Sequence, residues 1–375
     1  MILDNNSKCF IDLLQAGLWE HDVKLAQYQN IDFNVIYRLA EEQSVLGLVV
    51  AGFDHVDDVK VPQKVSLTFI GGTLQLEQHN KAMNEFVGKL IEYLREEDVY
   101  AILVKGQGIA QCYERPLWRA CGDVDLLLSN ENYKKAKSIL IPLAKSVESE
   151  SAQAKHLGMT IDSFIVELHG SLRSCSLPKM DRIFDEVQKD VFCNGNVRSW
   201  VNGNVTVFLP SPDNDVFFIF THIIKHLFHG GVGLRQICDL CRILWTYKES
   251  IDRNLLYRRL KSAGIITEWR AFASLAVNTL GMPDEAMPFY SPEIKWKRKA
   301  DAIVTFAIEV GIFGHNRDYS YRNKYPYIIY KAISFWKHLK DGAFFFSIFP
   351  LDSIKVTWRR MVVGVSVALQ GKKHE

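Results

Sequence analysis

The chain has 375 residues, 48% hydrophobic and 23% charged, an ordinary globular balance with enough length for two or three domains around a buried core. A formal net charge of +2 gives no basis for wholesale nucleic-acid binding through a basic surface, so nucleic acid is not an expected partner. The opening MILDNNSKCFIDLLQ carries acid early and lacks a basic segment followed by an apolar run, so it does not read as a signal peptide. No stretch approaches the roughly eighteen uninterrupted apolar residues of a membrane span, and the dispersed cysteines (Cys9, Cys112, Cys121, Cys175, Cys193, Cys238, Cys241) fit a reducing compartment. The expectation is a cytoplasmic protein with no membrane partner.

In chain order, Cys9 to Glu20 and Asn34 to Val50 carry apolar residues at helical spacing. Val61-Pro62 opens a longer helical segment reaching about Glu97, with proline well placed in its first turn. None of these segments shows a catalytic residue, so they are expected to pack against a core. Ala101 to Val104 then reads as a buried strand, broken by Lys105-Gly106 and Gly108 and followed by a short helix and a loop. Gly122-Asp123-Val124-Asp125 and three leucines read as a second strand, in which Asp123 and Asp125 share a face.

Asn130 to Ala144 reads as a helix that Ser129 or Asn130 caps. Ser146 to Glu150 and His156 to Ile161 alternate poorly. Ser163 to His169 alternates well, with Ile165, Glu167 and His169 on one face and Phe164, Val166 and Leu168 on the other. After the strand-like Val205 to Leu209, Ser211 as cap and Pro212 at the first helical position start a helix expected to stop at Gly230-Gly231. Helical spacing continues through Leu234 to Leu244, Leu255 to Ala263, Thr267 to Leu280, Trp296 to Phe313 and Lys331 to Lys340. The basic tail at Trp358-Arg359-Arg360 and Gly371-Lys372-Lys373 reads as a solvated end.

The chemistry concentrates in 101–128. Two carboxylates on one strand face, beside a glycine turn on its neighbour, suit a hard divalent cation that takes oxygen ligands and shares them with substrate phosphates. The glycine turn lets backbone N–H groups approach phosphate oxygens. On the helix after Pro212, His222, Lys225, His226 and His229 form one polar face. Zinc there lacks the glutamate of an HExxH pattern and any further ligand set, and a solvated basic face is the usual fate of such residues. Cys238 and Cys241 have no second pair and read as small buried residues. Gly106-Gln-Gly108 fails the dinucleotide fingerprint because Gln111 stands at the third glycine, and no Gly-Lys-Ser/Thr marks a P-loop.

These residues resemble the polymerase-beta-like nucleotidyltransferase superfamily. More narrowly they resemble an uncharacterised bacterial branch with a Lys-Gly turn, a following Tyr, and an Arg before Gly-Asp-hydrophobic-Asp-Leu-Leu. Lys105, Gly106, Tyr113, Arg119, Gly122, Asp123, Asp125, Leu126 and Leu127 carry the match. The resemblance implies an α+β fold, with a small mixed-sheet core at 98–209 between an N-terminal helical region at 1–97 and a C-terminal helical domain at 210–375. It implies Mg²⁺- or Mn²⁺-dependent transfer of an NMP from an NTP to an acceptor hydroxyl, with release of pyrophosphate. Asp123, Asp125 and Glu167 would be catalytic and hold the metal. Lys105, Gly106, Arg119, His169, Lys225 and Arg235 would contact nucleotide or phosphate. The third-carboxylate strand of the family commonly reads Asp-Leu-His, where this chain has Glu167-Leu168-His169. Its His-x-x-Lys-His helix and following Arg and Asp-Leu are matched by His222, Lys225, His226, Arg235, Asp239 and Leu240. The acceptor is open between a small molecule, a sugar, a protein side chain and an RNA end. The alternative, prompted by Lys-Gly in place of Gly-Ser and by Glu167, is a protein that keeps the fold and binds a nucleotide or a partner without turnover.

Overall fold

A computed structural model describes residues 3–151, 155–173, 178–229, 231–314, 316–317, 320, 324–350 and 353–354. Cys175, Gly230 and the basic tail lie outside the described residues. Helix α1 (Asn5–Trp19) begins where the Asp4 carboxylate accepts the Ser7 N–H at 2.7 Å, an N-cap that satisfies one of the free amides of the first turn. The run expected over Asn34 to Val50 is two helices, α2 (Phe33–Glu42) and α3 (Leu46–Phe53), separated where Ser44 takes a φ of +54°. Helices α1 and α3 cross at glycines. A Cβ on Gly17 would stand 1.8 Å from the Leu48 carbonyl oxygen, and one on Gly52 would stand 2.1 Å from that of Leu13. Helix α4 then runs 34 residues, Gln63–Glu96.

The sheet follows. Strand β1 (Ala101–Val104), the short helix α5 (Gly106–Ala110) and strand β2 (Asp123–Leu128) lead to α6 (Asn130–Leu140), which Ser129 caps. Pro142 has no amide to continue α6, and the chain tightens into a 3₁₀ turn at Ile141–Leu143. Strands β3 (Ser146–Val147), β4 (His156–Ile161) and β5 (Phe164–His169) complete a five-stranded mixed sheet in the order β1-β2-β5-β4-β3. Only β2 and β5 are parallel, and their register sets Asp125 opposite Glu167 and Asp123 opposite Ile165.

Period-two alternation divides the sheet into two faces. Val124, Leu126 and Leu128 join Phe164, Val166 and Leu168 and the second half of α4, including Met83, Phe86, Leu90 and Leu94, in one apolar core. The opposite face carries Asp123, Asp125, Glu167 and His169. Helix α7 (Pro178–Phe192) and strand β6 (Val197–Asn202), which pairs with β7 (Val205–Pro210), have no counterpart in the sequence reading.

Helix α8 (Pro212–His229) has the bounds its start and stop signals give. Then come α9 (Leu234–Thr246), α10 (Arg253–Ala263), α11 (Ile266–Asn278), α12 (Ile294–Val310) and α13 (Tyr327–Ile348). The first and last helical regions meet: Phe10, Leu14 and Ile36 share one core with Phe217, Phe220, Trp269 and Phe272. Each such side chain, fully buried, contributes on the order of 2–3 kcal/mol. Among the described residues no helix is long and apolar enough to cross a membrane.

Candidate functional site

The site forms where β1 turns into α5 and faces the first residues of β2. Lys105 makes that turn with φ 58° and ψ −143°, a backbone conformation that glycine takes more readily. Gly106 follows with φ +37°, and a Cβ there would lie 3.4 Å from the Asp123 carbonyl oxygen. The turn directs the Lys105 ammonium onto Asp125, Nζ to Oδ1 at 2.7 Å, and over the Phe218 ring of α8 at 5.6 Å from its centroid.

Parallel pairing of β2 with β5 supplies the third carboxylate. One oxygen from each of Asp123, Asp125 and Glu167 lies within 4.8 Å of the others. His169 Nε2 sits 2.8 Å from Asp125 Oδ1 and 3.5 Å from Glu167 Oε2, while His156 Nε2 on β4 reaches the same Glu167 oxygen at 3.1 Å. Asp125 is 1% exposed, and its second oxygen, Oδ2, is buried with no hydrogen-bond partner.

The charges tune one another. Burial, reinforced by the charge of Asp125, raises the pKa of Asp123. Burial also pushes Asp125 upward, but the Lys105 ammonium and the His169 hydrogen bond outweigh it and hold that carboxyl below the usual range. Hydrogen bonds from His156 and His169 hold Glu167 well below its ordinary value. Burial would lower the His169 and Lys105 pKa values, yet both are raised, because Asp125 and its acidic neighbours favour the charged forms.

Helices α8 and α9 face this cluster. His222 is held well below its ordinary pKa by burial and by the Lys105 charge, so it is a neutral ring at neutral pH, 2.9 Å from His226 between Nε2 atoms. Lys225 is exposed, and desolvation and Lys105 together lower its ammonium pKa. Arg235 in the first turn of α9 donates to the Ala120 carbonyl at 2.8 Å, while its Nε is buried without a partner. Its charge is close enough to Asp123 to oppose the rise of that carboxyl's pKa. Burial, then the neighbouring Arg119, lowers the Arg235 pKa.

Among the residues expected at a site, the structure thus brings together Lys105, Gly106, Asp123, Asp125, Glu167 and His169, with Lys225 and Arg235 facing them. Arg119 is elsewhere engaged. Its guanidinium grips Asp239 with Nε at 3.0 Å and Nη2 at 2.6 Å, in a pair that is 6% and 8% exposed. Tyr113 donates to the same Asp239 at 2.7 Å, and Asn80 of α4 donates to the Arg119 carbonyl at 2.8 Å. Tyr113, Arg119 and Asp239 therefore strap the loop before β2 to α9 and aim the strand. His156 is missed by the sequence reading although β4 alternates, with Leu157, Met159 and Ile161 buried and His156, Gly158 and Thr160 between them, so the strand signal that places His156 on the face of Thr160 was present.

An α+β chain whose small mixed sheet presents a Gly-Asp-x-Asp strand beside a glycine turn falls in the nucleotidyltransferase class. The chain belongs to the uncharacterised nucleotidyltransferase family, whose model matches residues 29–281, a span holding every residue of the cluster. Among solved structures it is similar to an antigenic nucleotidyltransferase-like protein from Paracoccidioides brasiliensis, at 14% identity and a TM-score of 0.33, over 52% of this chain and 92% of that one. No curated protein matches.

Proposed function

We propose that the protein moves a nucleoside monophosphate from an NTP to an acceptor hydroxyl, with Asp123, Asp125 and Glu167 holding Mg²⁺ or Mn²⁺. The observation that carries this reading is the convergence of those carboxylates within 4.8 Å, from parallel neighbouring strands of a nucleotidyltransferase family member. The donor set fits the ion: it is all oxygen, it is partial enough to leave room for phosphate oxygens and water, and it includes the unpartnered Asp125 Oδ2. When bound, the metal neutralises phosphate charge and favours in-line displacement at the α-phosphorus.

The chain's own groups do the rest. The acceptor hydroxyl gives up its proton to solvent and its oxygen bonds to the α-phosphorus as the bond to the bridging oxygen of the β-phosphate breaks, so pyrophosphate leaves. Gly106 removes the side chain that would keep phosphate from the turn. Lys225 and Arg235 provide fixed positive charge toward the triphosphate, and the open Nε of Arg235 is a donor awaiting an anion. Glu167, with its proton affinity held low by two imidazoles, is a poor base and a good cation ligand. His169 bridges Asp125 and Glu167 and fixes their spacing.

A second reading rests on Lys105. Its ammonium already lies on Asp125 Oδ1, where a bound cation would compete with it, and that favours nucleotide binding without turnover. The experiment that separates the two is release of pyrophosphate from each of the four NTPs with Mg²⁺ and small-molecule, sugar, protein and RNA acceptors. The transferase reading expects acceptor-dependent release that Asp125→Asn abolishes. Release that survives Asp125→Asn removes it.

A further inference from the structure

We infer that His156, Glu167 and His169 form a second cation site, one for a divalent transition-metal ion of the zinc class. It shares Glu167 with the Asp123/Asp125/Glu167 set and differs from that set in donor chemistry. Two ring nitrogens from different strands stand beside one carboxylate oxygen: Glu167 Oε2 is 3.1 Å from His156 Nε2 and 3.5 Å from His169 Nε2, and the shorter 2.8 Å contact of His169 Nε2 with Asp125 Oδ1 is the one an ion would displace. A tetrahedral shell with ligand bonds of about 2.1 Å has edges of about 3.4 Å, so both distances are those of neighbouring ligands around one ion. The three donor atoms lie within 4.8 Å of one another.

The arrangement is built into the ladder. His156 stands directly opposite His169 across the antiparallel β4–β5 pair, and Gly158 stands opposite Glu167. Directly opposed residues project to the same face, so the histidines and Glu167 share it. At 158 that face is taken by another acid: a Cβ there would lie 2.6 Å from Glu148 Oε2. Glycine thus leaves that face open beside Glu167, and the exposed Glu148 carboxylate lies over the open position.

Donor type separates the two positions. Mg²⁺ takes oxygen ligands and gains little from imidazole, whereas two histidines and a carboxylate are a ligand set of zinc and of its first-row neighbours.

The test uses the full-length protein stripped of metal by chelator, without nucleotide. Co²⁺ is the spectroscopic probe, titrated while visible absorption is followed, and Zn²⁺ and Mg²⁺ serve as competitors. Far-UV circular dichroism and the unfolding midpoint establish that each variant is folded. The expected result is absorption characteristic of nitrogen-ligated Co²⁺ that Zn²⁺ displaces and millimolar Mg²⁺ does not. His156→Gln should weaken Co²⁺ binding by at least about tenfold, since even outer partners of a ligand cost about that much. Asp123→Asn should leave it within about twofold. Binding that survives His156→Gln but is lost in Asp123→Asn, ready displacement by Mg²⁺, or no binding at all would overturn the inference. Because no nucleotide is present, its failure leaves the transferase reading untouched, and the converse holds.

Discussion

Lys105 Nζ meets Asp125 Oδ1 at 2.7 Å from a residue whose φ is 58°, so a strained turn and a buried ion pair are made by one side chain. Non-glycine residues held in such regions cost on the order of 1–3 kcal/mol. Lys105→Gly and Lys105→Ala both remove the ammonium, but only glycine relieves the backbone. In urea unfolding, Lys105→Gly should be more stable than Lys105→Ala by about 1 kcal/mol, while both lose the same cation next to Asp125. Equal stability of the two variants would show that the turn is unstrained.

The strap before β2 gives a second prediction. Arg119 and Asp239 are almost wholly buried, and removing one partner leaves a buried charge uncompensated. Arg119→Ala should cost about 3–5 kcal/mol. Tyr113→Phe, which removes one hydrogen bond to the same carboxylate, should cost about 1 kcal/mol. The double variant should be less destabilised than the sum, because both side chains act on Asp239. Strict additivity in chemical denaturation would mean that the loop is held by something else.

Arg235 supplies a ligand-directed prediction. Its Nε is buried without a partner, and its guanidinium sits on the first turn of α9. A hydrogen bond to a charged group contributes about 1.5–3 kcal/mol, so Arg235→Ala should weaken NTP binding by roughly 10- to 150-fold. Calorimetry would measure this directly, and an unchanged affinity would exclude Arg235 from phosphate contact.

Asp215 predicts a pH dependence. It is 1% exposed and paired with Arg198, Nη2 to Oδ2 at 2.6 Å, yet burial pushes its pKa up to about 6 despite that pair. The unfolded value is about 3.9. Between the two the folded state binds more protons than the unfolded state, so this group's contribution to stability falls as pH rises and levels off above about pH 6. The stability of wild type minus that of Asp215→Asn should therefore decline by up to about 3 kcal/mol between pH 4 and pH 6.5. A difference that rises over this interval would show that the Arg198 charge, rather than burial, governs Asp215.

Helix crossing supplies a structural check. Because a Cβ on Gly17 would stand 1.8 Å from the Leu48 carbonyl oxygen, Gly17→Ala must push α1 and α3 apart. A cost of about 3 kcal/mol in thermal or urea unfolding is expected.

Local patterns make the site's acids legible in the sequence. The Asp-x-Asp strand and the alternation of Ile165, Glu167 and His169 follow from period two, the turn follows from glycine breaking the apolar run after Val104, and pairing of β2 with β5 sets Glu167 opposite Asp125. Helix α8 was equally legible, because Ser211, Pro212 and Gly230 mark its ends. Long-range relationships were not. That Lys105 folds back on Asp125, that Asp239 occupies Arg119, and that His156 faces His169 depend on register and on helix placement, which spacing does not encode. Helix α7 is a different omission: Met180, Ile183, Phe184, Val187 and Val191 are buried at helical intervals, so its signal was present in the sequence.

The measurement that tests the central claim most directly is calorimetric titration of the four NTPs, with and without Mg²⁺, into wild type and an Asp123→Ala/Asp125→Ala double variant of verified fold. The account predicts Mg²⁺-dependent binding of at least one NTP to wild type and its loss in the variant. Binding that is equally strong without Mg²⁺, or that persists in the variant, would contradict a carboxylate-held metal-nucleotide site.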